Sequence, residues 1–154
     1  MTTSARPVVR RSARALLIDE KQCLVLIERT KPAQPVYWTT PGGGVEDGES
    51  AVTAVERELS EELGATATVG RRVLLVSTEA EGGVAEQEVF LARLRTMREQ
   101  DRTGAEWNDP SRGGYAVVRV PLAEVGGIDL KPAALREFVV ANVDALLAEA
   151  AELV

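Results

Sequence analysis

Residues 42–65 read GGGVEDGESAVTAVERELSEELGA and carry the strongest pattern in the chain. A glycine cluster leads into a short acidic turn, and the turn runs into a predicted helix that begins at about Ser50. Apolar residues recur in this helix at spacings of three and four, which predicts one apolar face. They are Val52, Val55, Leu59 and Leu63. Gly64 is predicted to end the helix, because glycine readily adopts the left-handed backbone of a helix C-terminus.

A neighbouring face of the same helix carries three glutamates, Glu58, Glu61 and Glu62, at positions i, i+3 and i+4. Like charges at these spacings repel each other by roughly a few tenths of a kcal/mol per pair in an isolated helix. A divalent cation bound between the carboxylates would turn this repulsion into attraction. The alternative is a solvated acidic face, since glutamate is a good helix former and is common on exposed helices.

The wider spacing around the glutamates favours a site. Five residues separate Gly43 from Glu49, and seven more separate Glu49 from the run RELSEELGA at residues 57–65. This pattern resembles the Nudix box, G-x5-E-x7-R-E-U-x-E-E-x-G-U, in which U is a bulky aliphatic residue. Every fixed position matches, and the weakest match is the small Ala65 at the last U. Residues 38–43, WTTPGG, resemble the segment that usually precedes the box in this family.

Resemblance to the Nudix hydrolases implies metal-dependent hydrolysis of the pyrophosphate linkage in a nucleoside diphosphate joined to another moiety, X. It assigns Glu58, Glu61 and Glu62 to metal binding, with Glu58 as the most sensitive position. One of these glutamates, or a carboxylate from a loop, would also act as the general base. The carbonyl of Gly42 is an expected further ligand, and Glu106 is the candidate from the loop. Mg²⁺ or Mn²⁺ is the expected cofactor, because both prefer oxygen ligands.

The resemblance also implies that Arg57 orients a glutamate of the box, with Glu49 as its partner here; the alternative is an ordinary surface charge. Candidate substrate-binding residues are Trp38, Gly43, Gly44 and Arg14. The glycines let the backbone approach a neighbour closely. Trp38 could equally pack beneath a loop, and exposed strand arginines such as Arg14 are usually only solubilising.

Composition narrows the classes of protein. The 154 residues include one cysteine and no histidine, which excludes Ser-His-Asp and Cys-His catalysis and most zinc sites. The net charge of −6 argues against nonspecific binding to nucleic acid or a membrane surface, but a metal ion could present a nucleotide to an acidic site. No apolar run approaches the ~20 residues that span a bilayer, and residues 1–10 lack an apolar signal region, so a cytoplasmic protein is expected.

Hydrophobic patterning predicts one domain over residues 1–154, with a mobile tail at 1–7. The predicted strands cover residues 8–19, 23–27, 72–78, 86–94 and 115–120, and the first two form a hairpin. Residues 96–114 lack periodicity and form a long loop, and a final helix covers 132–149. The apolar face of this helix covers the sheet or serves a homodimer. These elements give an α/β (α+β) fold with a mixed sheet, and the resemblance implies a Nudix-like α/β/α sandwich.

Two other functions remain alternatives. Isomerases of the same fold act on isoprenoid diphosphates, but the relatives of this kind use histidine metal ligands, which this chain lacks. The second alternative is a non-catalytic Nudix domain that senses a nucleotide. Such domains often have a degraded box, whereas this box is intact. The identity of X stays open among ADP-ribose, nucleoside triphosphates, dinucleoside polyphosphates, NADH and nucleotide sugars.

Overall fold

The computed structural model describes residues 6–103 and 113–154. Its strands are β1 (Val8–Ile18), β2 (Cys23–Thr30), β3 (Tyr37–Thr39), β4 (Gly42–Gly44), β5 (Ala65–Ala80), β6 (Gly83–Met97), β7 (Gly114–Pro121) and β8 (Leu130–Lys131). Its helices are α1 (Ala51–Leu63), α2 (Ala133–Ala141) and α3 (Val143–Ala151), with short 3₁₀ helices at Glu99–Asp101 and Leu122–Gly127.

The strands form one mixed sheet in the order β5-β6-β1-β2-β3-β8, with β4 paired to β1 and β7 paired to β2. β1 runs parallel to β6, and β3 runs parallel to β8, while the other pairs are antiparallel. The predicted β1–β2 hairpin pairs at its closed end, where Ile18 lies opposite Leu24. Further along, β4 pairs with β1 and β3 pairs with β2, so the two strands separate and the glycine strand enters on the side of β1 that faces β2.

Two hydrophobic cores lie on opposite faces of this sheet. Leu16 and Ile18 belong to the core that includes residues of α2 and α3, and Ala15 and Leu17 belong to the core that includes residues of α1. Successive residues of a strand point to opposite faces, so β1 contributes to both cores. The predicted α/β/α arrangement is confirmed.

Helix α1 begins and ends as predicted. The hydroxyl of Ser50 accepts the backbone N–H of Thr53 as an N-cap, and Gly64 adopts a left-handed conformation (φ 60°) and donates to the carbonyls of the last turn. The predicted apolar face is wrong at Val52, which is 38% exposed. The buried stripe runs instead through Ala54 and Val55, so Val52 lies at its edge.

The strands that follow α1 are longer than predicted. β5 starts directly after Gly64, and β6 extends through Met97, which the sequence pattern places in a loop. The two strands pair along nearly their whole length, from Ala65 opposite Met97 to Ala80 opposite Gly83. Backbone pairing therefore maintains strand structure where the side chains show no clear alternation.

The predicted final helix is two helices, and the break falls at Asn142 (φ −131°). The side-chain amide of Asn142 donates to the carbonyl of Phe138 over 2.8 Å, which competes with continuation of the helix. Pro132 precedes the first helical residue as its N-cap, one position before the predicted place. In the described part of the chain, no helix is long and apolar enough to cross a membrane.

The N-terminal segment differs from the predicted mobile tail at its last two residues. The carbonyl of Pro7 accepts the N–H of Val84 over 2.9 Å, and Arg6 forms an ion pair with Glu79. Residues 6 and 7 thus continue towards the β5–β6 hairpin. Residues 1–5 lie outside the described residues.

Candidate active site

A cleft of about 310 Å³ lies where β1 and β2 separate. Its lining combines acidic residues of α1 with basic residues of β1 and β2 and with the glycine strand. The lining residues are Arg10, Arg14, Ile27, Arg29, Thr39, Gly42, Gly43, Glu58, Glu61, Glu62 and Tyr115. All three glutamates singled out from the helix spacing therefore meet in one cleft.

Arg57 organises the acidic side of the cleft. Its Nε and Nη2 donate to the two carboxylate oxygens of Glu49 over 2.8 and 3.1 Å. Its Nη1 donates to Glu58 over 3.0 Å and to Glu61 over 3.3 Å, and its Nη2 also donates to the carbonyl of Gly44. The expected Arg57–Glu49 pair is present, and hydrogen bonds to Glu49 raise the pKa of Arg57. The guanidinium also offsets the repulsion between Glu58 and Glu61.

Glu58 lies against the backbone of the glycine strand. A Cβ atom built on Gly43 would lie 2.4 Å from the Glu58 Oε1, so only glycine leaves room for this carboxylate. Burial raises the pKa of the Glu58 carboxyl, whereas the hydrogen bond and charge of Arg57 lower it. The glycines were expected to let the backbone approach a neighbour closely, and at Gly43 that neighbour is Glu58.

Glu62 is the most buried of the three glutamates, with 6% of its surface exposed. Its Oε1 accepts the backbone N–H of Gly42 over 2.8 Å, which joins α1 to β4. Gly42 has φ 146°, and a Cβ there would lie 2.3 Å from the carbonyl oxygen of Ala13. The start of β4 is therefore fixed between β1 and the acidic helix.

Positively charged side chains also line the cleft. Arg14 is half-buried, and its Nη1 donates to the carbonyl of Thr40 over 2.8 Å. Burial lowers the pKa of Arg14, and the charges of Glu62 and Glu58 partly offset this. Arg10 and Arg29 line the same cleft. Guanidinium groups recognise phosphate oxygens, so a cleft with both signs of charge suits a polyanion bound together with a cation.

Two of the predicted site residues do not line this cleft, and a third is not described. Trp38 packs against the core that includes α2 and α3, and it is not among the residues that line the cleft. Gly44 lines a neighbouring cleft of about 470 Å³ together with Glu46 and other residues of the turn, and its carbonyl serves Arg57. Glu106 lies in 104–112, outside the described residues.

The sequence pattern does not single out Arg29, Thr39 or Tyr115. These residues lie on three different strands, and no spacing within one segment links them. Strand pairing brings them to the same cleft, because Arg29 lies opposite Tyr115 and residue 39 lies opposite Ile27.

The donors in the cleft match the ligands of a hard divalent cation. Glu58, Glu61 and Glu62 line the same cleft as Gly42, and Mg²⁺ and Mn²⁺ prefer carboxylate and carbonyl oxygens. Within residues 6–103 and 113–154, no three acidic, histidine or cysteine side chains are gathered into a ready metal cluster. The carboxylates are held instead by Arg57 and by the amide of Gly42.

Fold and site together define an α/β/α domain in which an acidic helix faces a glycine strand. The family model of the NUDIX domain matches residues 8–139, and the chain belongs to this family. The mouse (Mus musculus) protein named 8-oxo-dGDP phosphatase NUDT18 is 33% identical over 112 residues. That alignment covers 70% of this chain and 32% of the mouse protein, so the chain spans about a third of the length of this relative.

Solved structures share the fold. The MutT protein from Methanosarcina mazei Go1 has a TM-score of 0.65 and 24% identity, with 96% of this chain and 98% of that chain covered. A NUDIX hydrolase from Nitrosomonas europaea has a TM-score of 0.68 and 15% identity, with 88% of each chain covered. At these identities the likeness establishes the architecture and leaves the substrate open.

Proposed function

We propose that this chain hydrolyses the pyrophosphate linkage of a nucleoside diphosphate joined to a moiety X, with Mg²⁺ or Mn²⁺ as cofactor. The observation that carries the proposal is the position of Glu58. Its carboxylate lies in the cleft, against Gly43 and within hydrogen-bonding distance of Arg57. Membership of the NUDIX family supports the reaction class.

Glu58, Glu61 and Glu62, with the carbonyl of Gly42, would hold the metal, and Glu106 is a further candidate ligand. When bound, the metal neutralises phosphate oxygens and lowers the pKa of the attacking water. Arg57 positions Glu58 and Glu61 through Nη1, while its two hydrogen bonds to Glu49 keep the guanidinium in place. Arg14 would bind phosphate oxygens, and one carboxylate of the cleft would accept the proton of the attacking water.

The test is a screen of purified protein with Mg²⁺ against nucleoside diphosphate derivatives, read as phosphate release after a coupled phosphatase. The panel includes 8-oxo-dGDP, because the mouse relative is named for it. Glu58→Gln is expected to lower kcat by about 1,000-fold or more on any substrate that is turned over. Glu56 lies two residues before Glu58, on the exposed side of α1. Glu56→Gln is therefore the matched control and is expected to keep full activity.

A separate readout tests the metal site without turnover. Mg²⁺ or Mn²⁺ is expected to raise the unfolding temperature of the native chain, because a ligand that binds only the folded state stabilises it. The rise is expected to shrink in Glu58→Gln and to persist in Glu56→Gln. Full metal-dependent turnover by Glu58→Gln would contradict its assignment, whereas binding of panel members without any turnover would favour the nucleotide-sensing alternative.

A further inference from the structure

A row of side chains leads from the cleft across the sheet. Arg29 of β2 lies opposite Tyr115 of β7 and opposite Tyr37 of β3. Residues paired directly across neighbouring strands point to the same face of a sheet. The Arg29 guanidinium carbon is 4.0 Å from the ring centre of Tyr115 and 5.7 Å from that of Tyr37. Since Arg29 and Tyr115 line the cleft, the row connects the cleft to Tyr37.

Two lysines complete a cluster around this tyrosine. Lys31 Nζ is 5.8 Å from the ring centre of Tyr37, and Lys131 Nζ is 5.0 Å from it. Lys131 pairs with residue 39, which itself lines the cleft. We call Arg29, Lys31, Tyr37 and Lys131 the Tyr37 cluster. Three cations, two from the end of β2 and one from β8, thus converge on one aromatic ring.

Among the described residues, no carboxylate pairs with the cations of the Tyr37 cluster. Over residues 6–103 and 113–154, neither lysine nor Arg29 forms an ion pair. The Arg29 Nε is buried and has no hydrogen-bond acceptor within the same residues. Convergence of three cations that have no ion-pair partner in the described part of the chain is a costly arrangement, which a bound anion would relieve.

Packing alone explains the cluster less well. Cations lie over aromatic faces in many proteins, and one such contact would be ordinary. Three contacts on one ring place like charges near one another, which the quadrupole of a single ring offsets only in part. The position of the cluster, at the end of a row that begins in the cleft, points to an anionic part of the substrate.

We propose that the Tyr37 cluster binds a phosphate group of the substrate that lies beyond the scissile linkage. This inference rests on the proposed function and narrows X to a phosphate-bearing group, as in a nucleoside triphosphate or a dinucleoside polyphosphate. A neutral sugar would leave the three cations without a partner. Lys31 and Lys131 are substrate-specificity residues in this view, and Arg29 links them to the cleft.

Binding of inorganic tripolyphosphate tests the anion site without any turnover. Calorimetry is run with a chelator present, so that no metal bound by the glutamates contributes. The double variant Lys31→Gln/Lys131→Gln is expected to bind tripolyphosphate about tenfold or more weakly than the native chain. Lys21→Gln, in the exposed turn between β1 and β2, is the matched control and is expected to bind within about twofold of it.

Turnover tests whether the same site selects the substrate. The matched pair dGTP and dGDP differs by one phosphate group. The double variant is expected to lose about tenfold in kcat/KM on dGTP, mainly through KM, and less than about twofold on dGDP. Exposed Lys131 also allows the single variant Lys131→Gln, which protects the test against a folding defect in the double variant.

The outcomes separate the two proposals. Lysine-dependent binding of tripolyphosphate without hydrolysis of any panel member would overturn the proposed function and leave the anion site standing. Hydrolysis with equal losses on dGTP and dGDP would overturn the anion site and leave the hydrolase. Tripolyphosphate binding that is undetectable in the native chain, or unchanged in the lysine variants, would also overturn the anion site.

Discussion

At the scale of single residues, Arg57 sets the geometry of the acidic cleft. Its five donated hydrogen bonds reach Glu49, Glu58, Glu61 and the carbonyl of Gly44. A planar guanidinium suits this task, because its fork engages both oxygens of one carboxylate while a third nitrogen serves others. Lysine offers one point charge in the same place and would hold fewer of these groups.

Substitution of Gly43 is expected to lower activity while it leaves the stability of the fold nearly unchanged. The added methyl of Gly43→Ala would lie 2.4 Å from the Glu58 Oε1, so the carboxylate must move. A displacement of about 1 Å in a catalytic group can cost about 100-fold in rate, and we expect a loss of kcat of this order. Steady-state kinetics on the substrate found in the panel measure it.

Stability of Gly43→Ala is expected to change by less than about 1 kcal/mol, because a partly exposed side chain moves while the backbone stays. Gly127→Ala is the control, since its added methyl would meet no atom within 4 Å. Unaltered kcat in Gly43→Ala would show that the contact between Gly43 and Glu58 does not position the carboxylate that we propose to act in hydrolysis.

At the scale of elements, the end of α1 depends on one glycine. Gly64 has φ 60°, and its carbonyl accepts the N–H of Arg98, which follows β6. A Cβ there would lie 2.0 Å from the carbonyl oxygen of Arg98. Helix α1 therefore ends where the chain both reverses its backbone conformation and meets the far end of the β5–β6 hairpin.

Gly64→Ala is expected to destabilise the fold by about 2–4 kcal/mol, combining left-handed strain with displacement of the Arg98 carbonyl. Urea unfolding followed by circular dichroism measures the loss. Gly127→Ala again serves as the control, because its surroundings are open. A loss below about 0.5 kcal/mol would mean that the residues after β6 shift freely away from the helix.

The separation of β1 from β2 is the second feature at this scale that forms the cleft. The two strands share one register at Ile18 and Leu24, and then β3 and β4 take over as their partners. The opening lets the glycine strand lie beside β1 while Glu62 accepts the N–H of Gly42. Without this opening, the arginines of β1 and the glutamates of α1 would have no common cleft.

At the scale of the whole molecule, two adjacent leucines report on the two cores. Leu16 is 1% exposed in the core that includes α2 and α3, and Leu17 is fully buried in the core that includes α1. Leu16→Ala and Leu17→Ala are each expected to cost about 2–5 kcal/mol, because each leaves a cavity in a packed layer. Denaturant unfolding gives both values.

Leu75 on the edge strand β5 is the comparison, since it is 41% exposed. Leu75→Ala is expected to cost less than about 1 kcal/mol. Tolerance of alanine at one of the two β1 leucines would mean that one helical layer contributes little to stability, against the α/β/α arrangement.

Much of the acidic half of the site follows from sequence. The three glutamates, the helix ends at Ser50 and Gly64, and the pairing of Arg57 with Glu49 all depend on neighbours within about two helical turns and an adjoining turn. Local spacing encodes such geometry, because a helix has a fixed period. The sequence pattern does not predict the helix break at Asn142, because the side-chain hydrogen bond of Asn142 outweighs the apolar period there.

By itself the sequence determined the NUDIX helix and its acidic face. Tertiary structure alone decided which residues join that helix in a cleft. Arg29 and Tyr115 meet through a strand register between segments far apart in the chain, and Trp38 falls on the opposite face. Registers of this kind depend on the simultaneous packing of both cores, and no local period in the chain records that balance.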